Sequence, residues 1–405
     1  MGDPLYSEGI GIAVVLITLV KVLITFAILL IATMFMVWFE RKIISDMQYR
    51  IGPNRAGPWG LLQTLADGIK AFFKEDLLPT RADKIVFRLA PVISATTAFL
   101  SFAIIPLGGD FFGGGTGSVT VFGHETYLQL ADPPIGVLFF LAMSALGVYG
   151  IMLAGWASGS KYPLLGSVRA SAQIVSYEAA LGLSLAAVLL VTRAVSTHGI
   201  VAAQTGDGFG TLRNWNVLTV GIVPFVIFLI AGTAELNRPP FDLVEAEQEL
   251  VGGFHTEYSS IRFALFYLAE FMNTVTMSAL IVTLFFGGPA GLFDIPGIPN
   301  WLEGVVWFLA KVFVFLYLFV WFRGTLPRLR YDQLMNLGWK RLIPAALLWL
   351  MVLGAIRVGQ SSGLSSGGWA LLIAIMVVSV VVAVGLLSLS LNAAERNHRA
   401  DEAYH

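Results

Sequence analysis

Residues 233–262 form an acidic segment between two long apolar stretches, and its basic residues are Arg238 and Arg262. The six carboxylates of the segment are Glu235, Asp242, Glu245, Glu247, Glu249 and Glu257. On a helix Glu245 and Glu249 would share one face, where like charges destabilise the helix. Because the sequence keeps two acids at a spacing that destabilises a helix, a functional role for these acids is favoured. A solvated acidic loop is the alternative that fits the same residues.

Carboxylates inside apolar stretches are the second group that could do chemistry. Glu178 and Glu270 lie within candidate membrane spans, where ionisable groups indicate function. Their short side chains reach the membrane surface poorly, whereas Lys21 and Lys311 could extend their ammonium groups towards water. Neighbouring buried carboxylates raise each other's pKa and share protons. With the loop acids, they predict a chain of carboxylates that carries protons into the membrane.

The sequence of the acidic segment predicts how these acids are positioned. The proline pair at 239–240 prevents a helix from continuing through it. Asp242 is then a candidate N-cap, with Glu245 three residues later in a capping box. We therefore predict a short helix over 243–251 that ends at the glycine pair 252–253.

The composition indicates a polytopic membrane protein. Of 405 residues, 57% are hydrophobic and 13% charged, with a mean hydropathy of +0.78. Soluble domains carry about 25% charged residues. The net charge of −1 gives no indication of a nucleic-acid partner. The absence of cysteine excludes disulfides, cysteine-ligated iron–sulfur clusters and thiolate zinc sites within this chain.

Nine stretches approach the length of about 20 apolar residues that a bilayer requires. They are 10–38, 86–107, 133–156, 172–193, 217–233, 263–286, 303–322, 342–358 and 367–391. The fifth is short and contains Pro224, so we expect it to be kinked or broken. The predicted fold class is therefore all-α, with about nine transmembrane helices and one amphipathic helix.

The distribution of basic residues predicts the orientation. Twenty Lys and Arg residues lie on one side of the predicted spans and three on the other. This bias places the N-terminus outside and the C-terminus in the cytoplasm, and makes the acidic segment cytoplasmic. Residues 1–20 hold no Lys or Arg, so we expect the first span not to be a cleaved signal.

Residues 40–75 would extend the cytoplasmic face. The segment 58–75 has an apolar stripe and a polar face with Asp67 and Lys70, typical of an interfacial helix. A plain surface anchor is the alternative. Before it, 40–60 combines arginines with tight Gly/Pro turns, which indicates a shaped cavity wall rather than a simple basic flank.

Four blocks, in order along about residues 10–358, resemble one family. The first is Glu40-Arg41-Lys42 with RIGPNR at 50–55 and LQTLADGIK at 62–70. The second is GWASGSKY at 155–162 with RASAQIVSYE at 169–178. The third is ELNRPPFD at 235–242 with the acids that follow it, and the fourth is RGTLPRLRYD at 323–332. These blocks resemble the H subunit of the proton-pumping NADH:quinone oxidoreductase, respiratory complex I, the counterpart of mitochondrial NADH dehydrogenase subunit 1.

The resemblance implies a membrane domain over 1–358, and the extra span with a polar cytoplasmic tail that we predict over 359–405 departs from it. The family usually has Glu-Tyr where this chain has Glu270-Phe271, and it commonly has eight spans. It implies a multi-pass membrane subunit that forms the quinone chamber and links quinone reduction to proton translocation. The long tail and the Ala-, Gly- and Val-rich spans favour the bacterial plasma membrane as its location. As part of a translocase, it would have no catalytic residue, metal or cofactor of its own.

The implied partners are the hydrophilic quinone-site and iron–sulfur subunits, small membrane-arm subunits, quinone and lipid. NADH, FMN and the iron–sulfur clusters would belong to partner subunits. The chamber and entrance residues would be Glu40, Arg41, Arg50, Arg55, Asp67, Lys70 and Arg238. The proton path would comprise Glu178, Glu235, Asp242, Glu245, Glu247, Glu249, Glu257 and Glu270.

Three alternatives fit parts of the same sequence. The chain could serve a related complex I-like dehydrogenase or hydrogenase, or act as a stand-alone proton or cation transporter. It could also be a structural anchor whose acids hold a soluble arm by charge. Co-purification separates a transporter, which runs alone, from a respiratory subunit. An anchor variant would lose assembly, whereas a coupling variant would assemble and fail to pump.

Overall fold

The helices follow the apolar stretches of the sequence. The computed structural model describes residues 3–7, 9, 11–111, 115–206, 208, 210–243, 250–293 and 296–361. Its elements are α1 (Ile12–Met47), α2 (Gln63–Phe73), α3 (Lys84–Phe102), β1 (Ser118–Val121), β2 (His124–Tyr127), α4 (Gly136–Ala157), α5 (Lys161–Thr192), α6 (Thr197–Ala202), α7 (Gly210–Asn214), α8 (Asn216–Thr219), α9 (Ile222–Glu235), α10 (Ser260–Phe285), α11 (Asn300–Thr325), α12 (Tyr331–Leu337) and α13 (Ile343–Ser361). A π-helical turn over Gly338–Leu342 joins α12 to α13.

Seven helical segments in the described residues are long and apolar enough to cross a membrane. They are α1, α3, α4, α5, α10, α11 and the continuous run Tyr331–Ser361, and α9 is a shorter apolar helix. These eight match the first eight predicted spans, which confirms an all-α, multi-pass membrane protein. The ninth predicted span, 367–391, and the rest of the tail lie outside the described residues.

The fifth span is interrupted at Gly221 rather than at Pro224. Gly221 has a φ of +98°, and it separates α8 from α9. A Cβ at this position would lie 2.7 Å from the Trp349 ring, so glycine is required by both conformation and space. Pro224 lies in the first turn of α9, where its missing N–H has no helical partner to lose. The predicted break is present, and it lies three residues before Pro224.

Helix α10 lies at the centre of the bundle and packs against α1, α3 and α11. Its C-terminal two-thirds is buried, and it is rich in small and hydroxyl residues. The hydroxyls of Thr276, Ser278 and Thr283 donate to carbonyls four residues earlier on the same helix. These bonds satisfy the hydroxyls without a partner helix, so neighbouring helices can pack closely on this surface.

The interfacial helix is shorter than predicted. Residues 58–60 form one 3₁₀ turn in which Trp59 has a φ of +52°, and the regular helix α2 begins at Gln63. Its apolar side chains Leu65, Ile69 and Phe72 are exposed, as expected for residues that face lipid. The Thr64 hydroxyl donates to the Met34 carbonyl at 3.2 Å and fixes α2 against α1.

A small hairpin on the opposite side of the protein holds the N-terminus. Strands β1 and β2 pair antiparallel in the stretch 108–132, where the sequence shows only a long Gly- and Pro-containing connection. Asp3 accepts a hydrogen bond from the Lys21 ammonium at 2.6 Å, and Lys21 also donates to the Thr126 hydroxyl at 2.8 Å. Lys21 is therefore paired inside the protein and does not extend to water. Asp132, in the loop after β2, is buried there, and burial raises the pKa of its carboxyl to about 6.

Candidate functional site

A buried ion cluster joins three segments that are far apart in the sequence. Glu40 lies near the C-terminal end of α1, Arg238 in the turn after α9, and Arg323 in the last turn of α11. Arg238 donates to one carboxylate oxygen of Glu40 and Arg323 to the other. Glu40 is 4% exposed and Arg238 1% exposed, so each depends on the other for its charge to be compensated.

Arg238 also reaches the central helix. Its guanidinium lies 3.6 Å from the carboxylate of Glu270, and its central carbon is 4.4 Å from the centre of the Phe271 ring. A planar guanidinium can bind two carboxylates through different N–H groups while stacking on an aromatic face. Phe271 supplies the aromatic face. Arg238 thus connects the acid on α1 with the acid on α10.

The backbone around Arg238 is fixed by Gln173 on α5. The Gln173 side-chain amide donates to the Ala234 carbonyl at 2.8 Å, the Phe241 carbonyl at 3.1 Å and the Asn237 side chain at 3.2 Å. Gln173 is 1% exposed. The proline pair 239–240 prevents a helix here, so a buried side chain supplies hydrogen bonds that the backbone would otherwise lack.

A cavity of about 100 Å³, with both polar and apolar residues in its wall, adjoins the cluster. It lies between α3, α4, α9 and α10 and can hold several water molecules. The polar groups in its wall include Ser94, Thr97, Ser101, Ser144, Glu235, Asn237, Glu270, Asn273 and Thr276. Two of the predicted acids, Glu235 and Glu270, therefore face one cavity from two different helices.

Glu235 is held at the cavity wall by one hydrogen bond. Its Oε1 accepts from the Ser144 hydroxyl on α4. Its Oε2 is buried and has no hydrogen-bond partner among the described residues. A buried acceptor of this kind requires a water molecule or a proton. The cavity has room for such a water molecule.

The remaining predicted acids occupy different places. Glu178 on α5 is half-buried and interacts electrostatically with Glu235, but it does not line the cavity. Asp242 is buried and accepts from Arg328 at 2.9 Å. Glu257 is half-buried and outside the cavity wall. Glu245, Glu247 and Glu249, with most of the predicted helix 243–251, lie outside the described residues.

The predicted entrance residues lie on and beside α2. Arg41 donates to Asp67 at 2.6 Å, and both side chains are about 40% exposed, at 43% and 40%. This pair connects the end of α1 to α2. Lys70 on α2 is exposed, as are Arg50 and Arg55 in the preceding segment.

Several residues of the site were not among the predicted ones. Arg323 lies in the fourth matched block, but its charge alone did not connect it to Glu40. Ser94, Thr97 and Ser101 recur at helical spacing on α3, a polar stripe that could have indicated a cavity wall. On α10, Asn273 follows Glu270 by three residues and gives a similar signal. Ser144 gave no signal, because one serine in an apolar helix is ordinary.

Comparison with known proteins identifies the family. The sequence profile described as NADH dehydrogenase matches residues 20–354. The chain is 50% identical over 388 residues to the H subunit of the NADH-quinone oxidoreductase of Frankia alni, covering 95% of this chain and 82% of the relative. The chain belongs to the family of NADH-quinone oxidoreductase H subunits.

Two further relatives support this membership. The H subunit of the NADH-quinone oxidoreductase of Frankia casuarinae is 52% identical over 345 residues, which covers 84% of this chain and 73% of the relative. That of Streptomyces avermitilis is 48% identical over 346 residues, with the same coverage of 84% and 73%. Members of this family are membrane parts of an oxidoreductase complex, in agreement with the multi-pass fold. The range matched by the family profile, 20–354, includes the buried ion cluster and the cavity.

Proposed function

We propose that this chain forms the membrane-side wall of the quinone chamber in a proton-pumping NADH:quinone oxidoreductase. We also propose that it passes protons from that chamber towards the membrane arm. The observation that carries the proposal is the junction between the Glu40–Arg238–Arg323 cluster and the cavity faced by Glu235 and Glu270. A charge network that adjoins a cavity with room for several water molecules can respond to a reaction beside it.

The entrance in this proposal is the interfacial helix α2. The exposed Leu65, Ile69 and Phe72 suit contact with lipid, so an isoprenoid quinone tail could slide along them from the bilayer. Arg41, paired with Asp67, then lies beside the route of the head group. Arg50 and Arg55 are exposed and suit bidentate contact with carboxylates of a hydrophilic partner protein.

The coupling step follows from the chemistry of quinone reduction. Reducing a quinone to a quinol requires two electrons, from an iron–sulfur cluster of a partner protein, and two protons. Removing protons from the chamber leaves negative charge near Arg238, which binds both Glu40 and Glu270. Two unit charges about 4 Å apart interact by roughly 4 kcal/mol at an effective dielectric of about 20. Such an interaction is large enough to change which acid of the cavity carries a proton.

Replacing the cavity acids tests the proposal. Glu235→Gln and Glu270→Gln preserve side-chain shape and remove titration. We expect assembled complex in which quinone reduction and proton pumping fall together, by about 10-fold or more. Proteoliposomes that report NADH oxidation and acidification by a pH-sensitive dye measure both. Full turnover with full acidification in both variants would contradict a role in coupling.

The loop acids provide a second test. Glu245→Gln and Glu249→Gln, alone and together, are expected to assemble and to impair both activities, because these acids would extend the cavity acids towards the chamber. Glu75→Gln is a control, since Glu75 is exposed at the end of α2. If the double variant turns over and pumps fully, the acidic segment is a solvated loop.

Partner composition distinguishes this proposal from the alternatives. A stand-alone transporter purifies alone from mild detergent, whereas the proposed subunit purifies with iron–sulfur proteins and oxidises NADH. A related hydrogenase assembly would lack NADH oxidation.

We also propose the orientation with the N-terminus outside. Single cysteines at exposed positions 49 and 122 test it, because the chain has no cysteine of its own. Under this orientation an impermeant thiol reagent added outside labels only position 122.

A further inference from the structure

Lys311 does not extend its ammonium to water but turns it into the protein. Its Nζ donates to the main-chain carbonyls of Phe286 at 2.9 Å, Gly288 at 3.0 Å and Ala290 at 2.6 Å. An ammonium has three N–H donors, and all three are used. Within the described part of the chain, no carboxylate lies within 4 Å of it. Lys21, the other lysine within a span, instead pairs with Asp3.

The carbonyls that surround the ammonium belong to the turn that ends α10. Gly287 and Gly288 have φ values of +72° and +52°, so the chain reverses there in a conformation that glycine adopts readily. The N–H groups of the turn are already used: those of Phe286 and Gly288 donate to the Val282 carbonyl, each at 3.0 Å. The carbonyls of the turn lie at the C-terminal end of α10, which is the negative end of its dipole, and this favours a cation as their hydrogen-bond donor.

Two further side chains build the site. The Gln204 Oε1 accepts from the Gly287 N–H at 3.1 Å, while its amide donates to the Thr283 carbonyl at 2.9 Å. Gln204 is fully buried, so the turn is held from a separate segment. The Trp215 ring centre lies 5.2 Å from Nζ, and an indole face attracts a cation.

We infer that the carbonyl oxygens of Phe286, Gly288 and Ala290, with the indole face of Trp215, form a binding site for one primary ammonium ion. Lys311 is its tethered occupant. By filling the site from α11, the side chain joins the turn after α10 to the next span. Lys311 is thus a positioning residue for the outer end of the helix that carries Glu270 in its other half.

Shortening the side chain tests whether the site recognises an ammonium. Lys311→Ala removes the atoms that correspond to n-propylammonium. We expect the intact complex, purified in detergent, to melt several degrees lower. n-Propylammonium should restore at least half of the lost melting temperature, with a saturable dependence on concentration. n-Propanol has nearly the same shape without charge, and tetramethylammonium has the charge without N–H donors, so neither should restore it.

Lys311→Met is the matched control, because it keeps most of the stem and removes the ammonium. It should also melt lower than the wild type, and n-propylammonium should not restore it, since the thioether stem occupies the space. Each additive is measured with wild-type complex to subtract general effects. A methionine variant as stable as the wild type overturns the inference, even if the alanine variant does not assemble. Equal responses of the alanine variant to all three additives would also overturn it.

Discussion

Glu40 and Arg238 form a buried ion pair although 198 residues separate them in the sequence. Glu40 comes from the first span and Arg238 from the turn after the fifth, and Arg323 adds a second guanidinium from a third segment. The pair therefore fixes the relative positions of α1, the proline-containing turn and α11. Since Arg238 also contacts Glu270, any rearrangement of the turn changes the surroundings of an acid that faces the cavity.

Removing Arg238 should be far more damaging than removing an exposed arginine. Arg238→Met removes a partner from the buried carboxylate of Glu40 and the partly buried one of Glu270. Breaking a buried pair costs about 3–5 kcal/mol. Arg41→Met breaks the partly exposed pair with Asp67, which should cost about 0–1 kcal/mol. Thermal melting and the amount of assembled complex measure the difference. Similar losses in the two variants would mean that burial does not determine the role of Arg238.

The hydroxyl of Ser144 should be required for normal coupling. Ser144→Ala removes the hydrogen bond to Glu235, a contact to a carboxylate worth about 1.5–3 kcal/mol. We expect assembled complex that pumps several-fold more slowly and whose pH–rate profile differs from the wild type. Ser144→Thr keeps the hydroxyl and should restore the profile. A profile unchanged in the alanine variant would show that Ser144 only fills space.

The sequence predicted the spans well because their apolar length is a local property. It also indicated Glu178, Glu235 and Glu270 as candidate functional acids, because acids in apolar helices are rare. It did not indicate that Arg323 contacts Glu40, since that contact depends on how α1 and α11 pack. The partners of Lys311 were equally unpredictable, because they are main-chain carbonyls oriented by a turn. Ion partners in this protein are thus determined by tertiary packing, whereas charge in a span can be read locally.

Breaking the Asp67–Arg41 pair should change the KM for long-tailed quinones more than the KM for short-tailed ones. Asp67→Asn keeps the side-chain shape and releases Arg41 beside α2. Because the pair is partly exposed, assembly should be unaffected. If α2 borders the entrance, KM for a long-tailed quinone should rise about 2–10-fold, or roughly 0.4–1.4 kcal/mol, while KM for a short-tailed quinone stays unchanged. Steady-state NADH oxidation with both quinones measures this, with Glu75→Gln as control. Equal changes for both quinones would place Asp67 away from the tail.

The buried carboxyl of Asp132 should make stability depend on pH. Burial raises its pKa from 3.8 to about 6, and a backbone contact with His198 partly opposes the shift. A raised acid pKa means that the folded protein retains a proton that the unfolded chain has lost. The contribution to stability is therefore complete below about pH 3.8 and is lost as the pH rises through about 6.

Asp132→Asn removes the titration and should stabilise the protein at pH 7.5. Each pKa unit corresponds to about 1.4 kcal/mol, and partial screening by solvent leaves roughly 1–2 kcal/mol for this group. The melting temperature of the variant should exceed that of the wild type by a few degrees at pH 7.5, and the difference should close towards pH 4.5. Glu125→Gln, at an exposed position on the neighbouring strand β2, should show no such trend. A difference for Asp132→Asn that does not change with pH would mean that the carboxyl acts through packing rather than through its proton.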